Sequence, residues 1–199
     1  MNLKTKADVV TSKSCPVPII RWSVALLLVG ALVCIFSDEA AFRTTEAHVL
    51  ATWLNPLISG GVTHATTYFL VYLPGSELIA FNITMECTAL LLLAPLAIVS
   101  ALMLMFTRIG LVRVLAALAI SGSLTFLINQ LRLALIAWTT QTWGMDFGYE
   151  IGHRFIGSVI ALFSFALGFL VLLWMVFRPE RSKGVISRES RTETSGETS

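Results

Sequence analysis

Charge is scarce in this sequence. Asp, Glu, Lys and Arg make up 13% of the 199 residues, about half the ~25% usual in a soluble domain. No basic run is suited to nucleic acid, so nucleic acid is not an expected partner. The 3 histidines show no His-x-x-x-His spacing, which argues against a zinc site. There is no glycine-rich phosphate loop and no Gly-x-Ser-x-Gly elbow. Neither a metal nor an organic cofactor is expected. Cysteine is equally sparse, at 3 residues. Cys15 falls in the N-terminal tail and Cys34 in the first hydrophobic run, so Cys87 has no partner for an intramolecular disulfide. No internal repeat is visible.

Long hydrophobic runs take the place of charge. Hydrophobic residues make up 56% of the chain, and mean hydropathy is +0.80. The expected fold is an all-α integral membrane protein in one unit over residues 18–178. A 1–17 cytoplasmic tail precedes it and a disordered 179–199 cytoplasmic tail follows. A bilayer core ~30 Å thick needs about 20 apolar residues in a helix, and four segments qualify: 18–36, 87–106, 110–138 and 155–177. The first has a basic flank but no clear cleavage site and is read as a retained helix. Pro95 marks a kink in the second. The third is longer than a bilayer requires.

Orientation follows from Lys and Arg placement. With both termini in the cytoplasm, only Arg43, Arg132 and Arg154 of the 14 Lys and Arg residues fall outside. The expected location is the plasma membrane, as a multi-pass protein, with residues 37–85 as an extracytoplasmic loop. Within the loop, Val49, Leu50, Trp53, Leu54 and Leu57 have helical spacing, which predicts an interfacial helix over 46–58. Residues 66–73 and 78–84 are rich in β-branched and aromatic residues and flank Pro74-Gly75-Ser76-Glu77. They read as a short β-hairpin, with a re-entrant helical pair as the alternative.

This topology collects three reactive side chains at one rim. Cys87, after Glu86, opens the second span, where the positive end of the helix dipole favours a thiolate. The other reading is a buried, inert thiol. Arg132 stands deep in the third span with Asn129 three residues earlier on the same face. It can hold a thiolate, bind a carbonyl or stabilise an oxyanion, or it can simply snorkel to the interface. His153, followed by Arg154, precedes the fourth span and suits proton transfer near neutral pH. Alone it reads as a solvated interfacial residue rather than a catalyst, and the catalytic reading depends on the three together. Gly157, four residues on, allows a second helix to approach closely. Asn82-Ile83-Thr84 matches a glycosylation pattern that often arises by chance.

An outer-face Cys opening a span, Asn129-x-x-Arg132 in the next and His153-x-x-x-Gly157 opening the last together resemble the exosortase/archaeosortase family. The resemblance covers residues 70–174, and the 127–133 and 153–157 segments are its most specific parts. Thr88 and Ala89 follow the cysteine here, where many members have Ser and Gly, and the chain has fewer spans than many members. The resemblance implies a membrane cysteine transpeptidase or protease. Its substrates would be exported membrane proteins bearing a C-terminal motif, a transmembrane helix and a basic tail. Cys87 would be the nucleophile, Arg132 its electrostatic partner and His153 the third catalytic residue, supported by Glu86, Asn129 and Arg154. The acceptor would be an amine on a lipid or polysaccharide, or water. Membrane lipid is the remaining partner. The competing classes are a hydrolase with the same site, a non-catalytic assembly protein whose polar residues stabilise the bundle, and a transporter. A transporter would carry its polar groups near the midplane rather than at a rim.

Overall fold

The structure is a computed structural model that describes residues 17–58, 61–72, 78–144, 148 and 150–178. Both predicted tails, apart from residue 17 at the start of the first helix, and the Pro74–Glu77 turn lie outside the described residues. Helix α1 (Val17–Ser37) runs almost directly into α2 (Glu39–Leu54). Strands β1 (Val62–Ala65), β2 (Tyr68–Tyr72) and β3 (Leu78–Asn82) follow. Helices α3 (Ala89–Phe106) and α4 (Leu111–Trp143) come next, then a π-helical turn (Ile151–Ile156) that continues into α5 (Gly157–Phe177). Among the described residues, four helices are long and apolar enough to cross a membrane: 19–37, 89–106, 111–143 and 151–177. Helices suit these runs because each satisfies its own backbone hydrogen bonds in lipid. The expected multi-pass helical fold is what the structure has.

The loop differs from expectation in detail. The predicted 46–58 helix begins at Glu39, because Asp38 interrupts the chain for only one residue after α1. The expected hairpin is β2–β3, but it gains β1 to form a three-stranded antiparallel sheet in the order β1-β2-β3. The four-residue run Val-Thr-His-Ala carries little strand signal of its own. It is held by pairing with β2 and by Asn55, whose Oδ1 accepts from the Val62 N–H at 2.9 Å. Thr66, at φ 53°, makes the tight β1–β2 turn.

Two apolar cores occupy opposite ends of the molecule. One unites α1 with α3, the C-terminal half of α5 and the N-terminal part of α4, through Ala25, Leu96, Leu104, Val114, Ala117 and Leu172. The other joins α2, the sheet and the far end of α4, through Leu50, Leu54, Phe69, Phe81, Ile83, Leu133 and Ala137. The Phe69 and Phe81 rings stack at 4.9 Å. The length of α4 explains this arrangement. Its 33 residues span roughly 50 Å at 1.5 Å per residue, well beyond a ~30 Å bilayer core. The excess carries the sheet and α2 on its end.

Candidate functional site

Glu46 organises the site from below. It lies on α2, one turn before Leu50 and two before Leu54, in line with the apolar face and fully buried. Its carboxylate meets the start of α3. Oε1 accepts from the Ala89 N–H at 2.9 Å and from Asn129 Nδ2 at 3.3 Å, while Oε2 accepts from the Thr88 hydroxyl. Thr88 is also the N-cap of α3, where its Oγ1 accepts from the Leu90 N–H at 3.3 Å. An acidic side chain on unsatisfied N–H groups at a helix start gains both hydrogen bonds and a favourable dipole. Burial nevertheless pushes the Glu46 carboxyl above its usual range, against the bonds from Thr88, Ala89 and Asn129 that favour the charged form.

Cys87 stands immediately before this cap, so it precedes α3 rather than opening it. The expectation of an exposed thiol also changes. Cys87 is 4% exposed, in the core with Ile83 and Leu133. It is sequestered from bulk solvent but borders a cavity. Its backbone is pinned on both sides: the Cys87 N–H donates to the Thr84 carbonyl at 3.0 Å, and Asn129 Nδ2 donates to the Cys87 carbonyl at 3.1 Å.

Arg132 and His153 reach the same sulfur from separate elements. His153 Nδ1 lies 3.6 Å from Sγ, and Arg132 Nη2 lies 4.0 Å from it. Arg132 is 5% exposed and therefore does not snorkel. Its Nε is buried without a hydrogen-bond partner among the described residues and faces Gly157. His153 comes from the π-helical turn, where one extra residue per turn re-aims a side chain and which recurs at functional sites. Two glycines let the turn approach α4. A Cβ on Gly152 would meet Thr139 Oγ1 at 2.3 Å, and one on Gly157 would meet Arg132 Nε at 3.2 Å.

His153 borders two cavities. One, of about 310 Å³, is lined by Phe69, Ala80, Phe81, Asn82, Thr84, Cys87, Leu133 and Ile136 as well as His153. The other, of about 620 Å³, is lined by Glu86, Arg132, His153, Arg154, Ser158 and Ala161. The thiol faces a largely apolar chamber, and the cations face a polar one. This geometry can attack a carbonyl from one side and exchange protons or admit a second reactant from the other.

A family model described as a transmembrane exosortase matches residues 49–174, more than half of the chain. The chain belongs to the transmembrane exosortase family. No curated protein and no solved structure matches it. In this exosortase-family protein, the expected site residues fall into two groups. Cys87, Arg132, His153 and Asn129 converge. Glu86 and Arg154 line the polar cavity, and Arg154 pairs with Glu150 at 3.1 Å on an exposed surface. Glu46 is the residue that sequence reasoning missed. It lies three positions before the family match begins, and the signal that would have found it is a glutamate in line with the apolar stripe of its helix.

Proposed function

We propose that this exosortase-family protein is a membrane cysteine transpeptidase or protease. It removes the C-terminal sorting signal of exported proteins at the extracytoplasmic face of the plasma membrane. The observation that carries the reading is the meeting of Cys87 Sγ with His153 Nδ1 at 3.6 Å and Arg132 Nη2 at 4.0 Å, from three separate elements.

In the first step His153 Nδ1 takes the thiol proton and the Cys87 sulfur attacks the scissile carbonyl carbon. The carbonyl electron pair moves onto oxygen, and Arg132, whose Nη2 lies 4.0 Å from the sulfur, stabilises the oxyanion. The Cys87 N–H is already given to Thr84. The intermediate then collapses, the C–N bond breaks, and the imidazolium returns its proton to the leaving amine. A thioester remains. In the second step an acceptor amine or water loses a proton to His153 and attacks the thioester, and the Cys87 thiolate leaves. Asn129 and Glu46 are positioning residues, fixing the Cys87 backbone and the helix start behind it.

The test is to express a reporter with a C-terminal motif, transmembrane helix and basic tail beside the wild type, Cys87→Ser, Arg132→Ala and His153→Ala. Tail loss is followed with insertion of each variant confirmed. Processing that vanishes in Cys87→Ser, with a covalent adduct trapped in the wild type, supports the reading. Normal processing by Cys87→Ser overturns it. The polar cluster would then be a packing feature of an assembly protein.

A further inference from the structure

Among the described residues, the β1 edge of the sheet beside Cys87 gives a backbone N–H to a side chain, and the β3 edge gives none. Along the outer edge of β1, α2 packs closely, and Asn55 takes up the Val62 N–H at 2.9 Å. β3 forms the opposite edge. Its inward bonds are fixed by the register, which sets Phe69 opposite Phe81 and Val71 opposite Ile79. The phase of the ladder follows from its ends. Ile83 N–H donates to the Thr67 carbonyl at 3.0 Å, and Tyr72 N–H donates to the Gly61 carbonyl on the β1 side at 3.4 Å. Residues of an antiparallel strand bond alternately to one side and the other. Ile79, Phe81 and Ile83 therefore bond to β2, while Leu78, Ala80 and Asn82 direct their N–H and C=O groups off the sheet. Among the described residues, none of those outward backbone groups has a hydrogen-bonded partner.

Open edges are normally blunted by charge, proline, a bulge or a cover. The described part of β3, Leu-Ile-Ala-Phe-Asn, has none of the first three, and Ala80 at its centre is small and exposed. Among the described residues it borders a cavity of about 310 Å³, into which Ala80 and Asn82 face together with Cys87 and His153. An unpaired strand edge and a thiol–imidazole pair share one chamber.

We propose that the open edge of β3 binds the substrate as an extended peptide. The peptide adds to the sheet as a fourth strand, hydrogen-bonded to the main chain of Ala80 and Asn82, and its scissile carbonyl is delivered to Cys87. The inference rests on the cysteine-peptidase reading above and names how that site holds its substrate. Main-chain pairing supplies affinity in such strand addition, while pockets select alternate side chains. Phe69, Phe81, Leu133 and Ile136 form an apolar wall for the inward-facing substrate residue. A backbone grip suits an enzyme that must take an unfolded linker just before a transmembrane helix.

The test uses the full chain in detergent micelles, with Cys15 and Cys34 replaced by Ser so that Cys87 is the remaining thiol. Alkylation of Cys87 is timed with two reagents. Iodoacetamide carries no strand. Acetyl-Ala-Ala-Ala chloromethyl ketone carries one, and in it the thiolate displaces chloride to form a thioether. Ala80→Pro removes an N–H that makes no ladder bond, the placement proline tolerates in edge strands. We expect it to slow the peptide reagent about three- to tenfold relative to iodoacetamide, the worth of about one hydrogen bond. On the unsubstituted β3, N-methylation of the reagent should slow labelling at alternate amides only. This arm stands even if Ala80→Pro fails to fold.

A peptide reagent insensitive to Ala80→Pro, or slowed equally by methylation at every amide, overturns the strand-addition proposal and leaves the cysteine reading intact. If neither reagent labels Cys87 and Cys87→Ser still processes the reporter, the cysteine reading itself fails and this inference goes with it.

Discussion

Helix α3 ends in two charged contacts of opposite sign. At its start, the Glu46 carboxylate receives the Ala89 N–H. At its finish, the Arg21 guanidinium donates to the carbonyls of Thr107 and Ile109, the latter at 2.7 Å. Both follow the same rule, an anion at the N-terminus and a cation at the C-terminus. They differ in what surrounds them. Arg21 is half-buried, serves backbone carbonyls and, among the described residues, touches no reactive group. Glu46 is fully buried and shares Asn129 with the Cys87 carbonyl. The first contact closes a helix, whereas the second closes a helix and fixes the residue before it. The two ends therefore predict different consequences for the same kind of loss.

The largest effects belong to groups that touch the thiol. Cys87→Ser should abolish processing while the protein remains folded, since the swap nearly conserves volume. Reporter cleavage and thermal unfolding in detergent, measured together, check both halves. Arg132→Ala should lower turnover about 10²- to 10³-fold, the usual cost of losing an oxyanion donor. It removes a guanidinium that is buried beside the sulfur, and single-turnover rates would reveal the loss.

Glu46 comes next and breaks the comparison from the site end. Glu46→Ala leaves the Thr88 hydroxyl, the Ala89 N–H and the Asn129 amide without their acceptor. A destabilisation of about 2–4 kcal/mol is expected from buried donors left unpaired, with slowed cleavage because Asn129 loses its brace. Glu46→Gln should retain part of both. The pH dependence has a definite sign. The carboxyl is raised above its unfolded value by burial, so the folded state keeps this proton where the unfolded chain has lost it. That contribution is fully present below the ordinary carboxylate range and is lost as pH rises through the raised value. Stability of the wild type measured across that window should decline more steeply than that of Glu46→Gln.

Glu46 also shows where the sequence stopped being legible. The spans could be read because twenty apolar residues in a row have one physical use in a bilayer. Cys87, Arg132 and His153 could be gathered at one rim because charge asymmetry gives an expected orientation and because the 127–133 and 153–157 segments resemble the exosortase family. β1 and Glu46 could not be read in the same way. β1 is a strand only because β2 and Asn55 hold it, and Glu46 is a cap for a helix 43 residues further along the chain. Both depend on partners distant in sequence that local pattern cannot supply. The buried thiol is a third case. Sequence placed Cys87 at a boundary, but α2 and the sheet are what enclose it. Residue 46 in line with Leu50 and Leu54 was the one local sign that a carboxylate faced inward.

The π-helical turn offers a sharper probe of how the site is held. Gly152→Ala would set a Cβ 2.3 Å from Thr139 Oγ1, a hydroxyl that itself donates to the Ile136 carbonyl at 3.0 Å. The turn must move away from α4 and take His153 with it. A loss of about 1–3 kcal/mol is expected from such overpacking, with a fall in cleavage. Adding Thr139→Ala removes the obstructing oxygen, so the double variant should recover part of both losses. Additive losses in the two single variants and the double would show that the contact is not what limits the turn.

The smallest effect is expected at the far end of α3 and completes the comparison. Arg21→Gln keeps a hydrogen-bond donor but removes the positive charge from the helix terminus. A cation at such a terminus is worth typically about 0.3–1 kcal/mol when partly exposed. Neither Thr107 nor Ile109 contacts Cys87, Arg132 or His153 in the described residues, so the cleavage rate should not change. Thermal unfolding in detergent should move by a few degrees at most while reporter processing stays at wild-type level. A large fall in processing without a matching fall in stability would mean that the two ends of α3 are coupled. The contrast drawn from burial and shared partners would then be wrong.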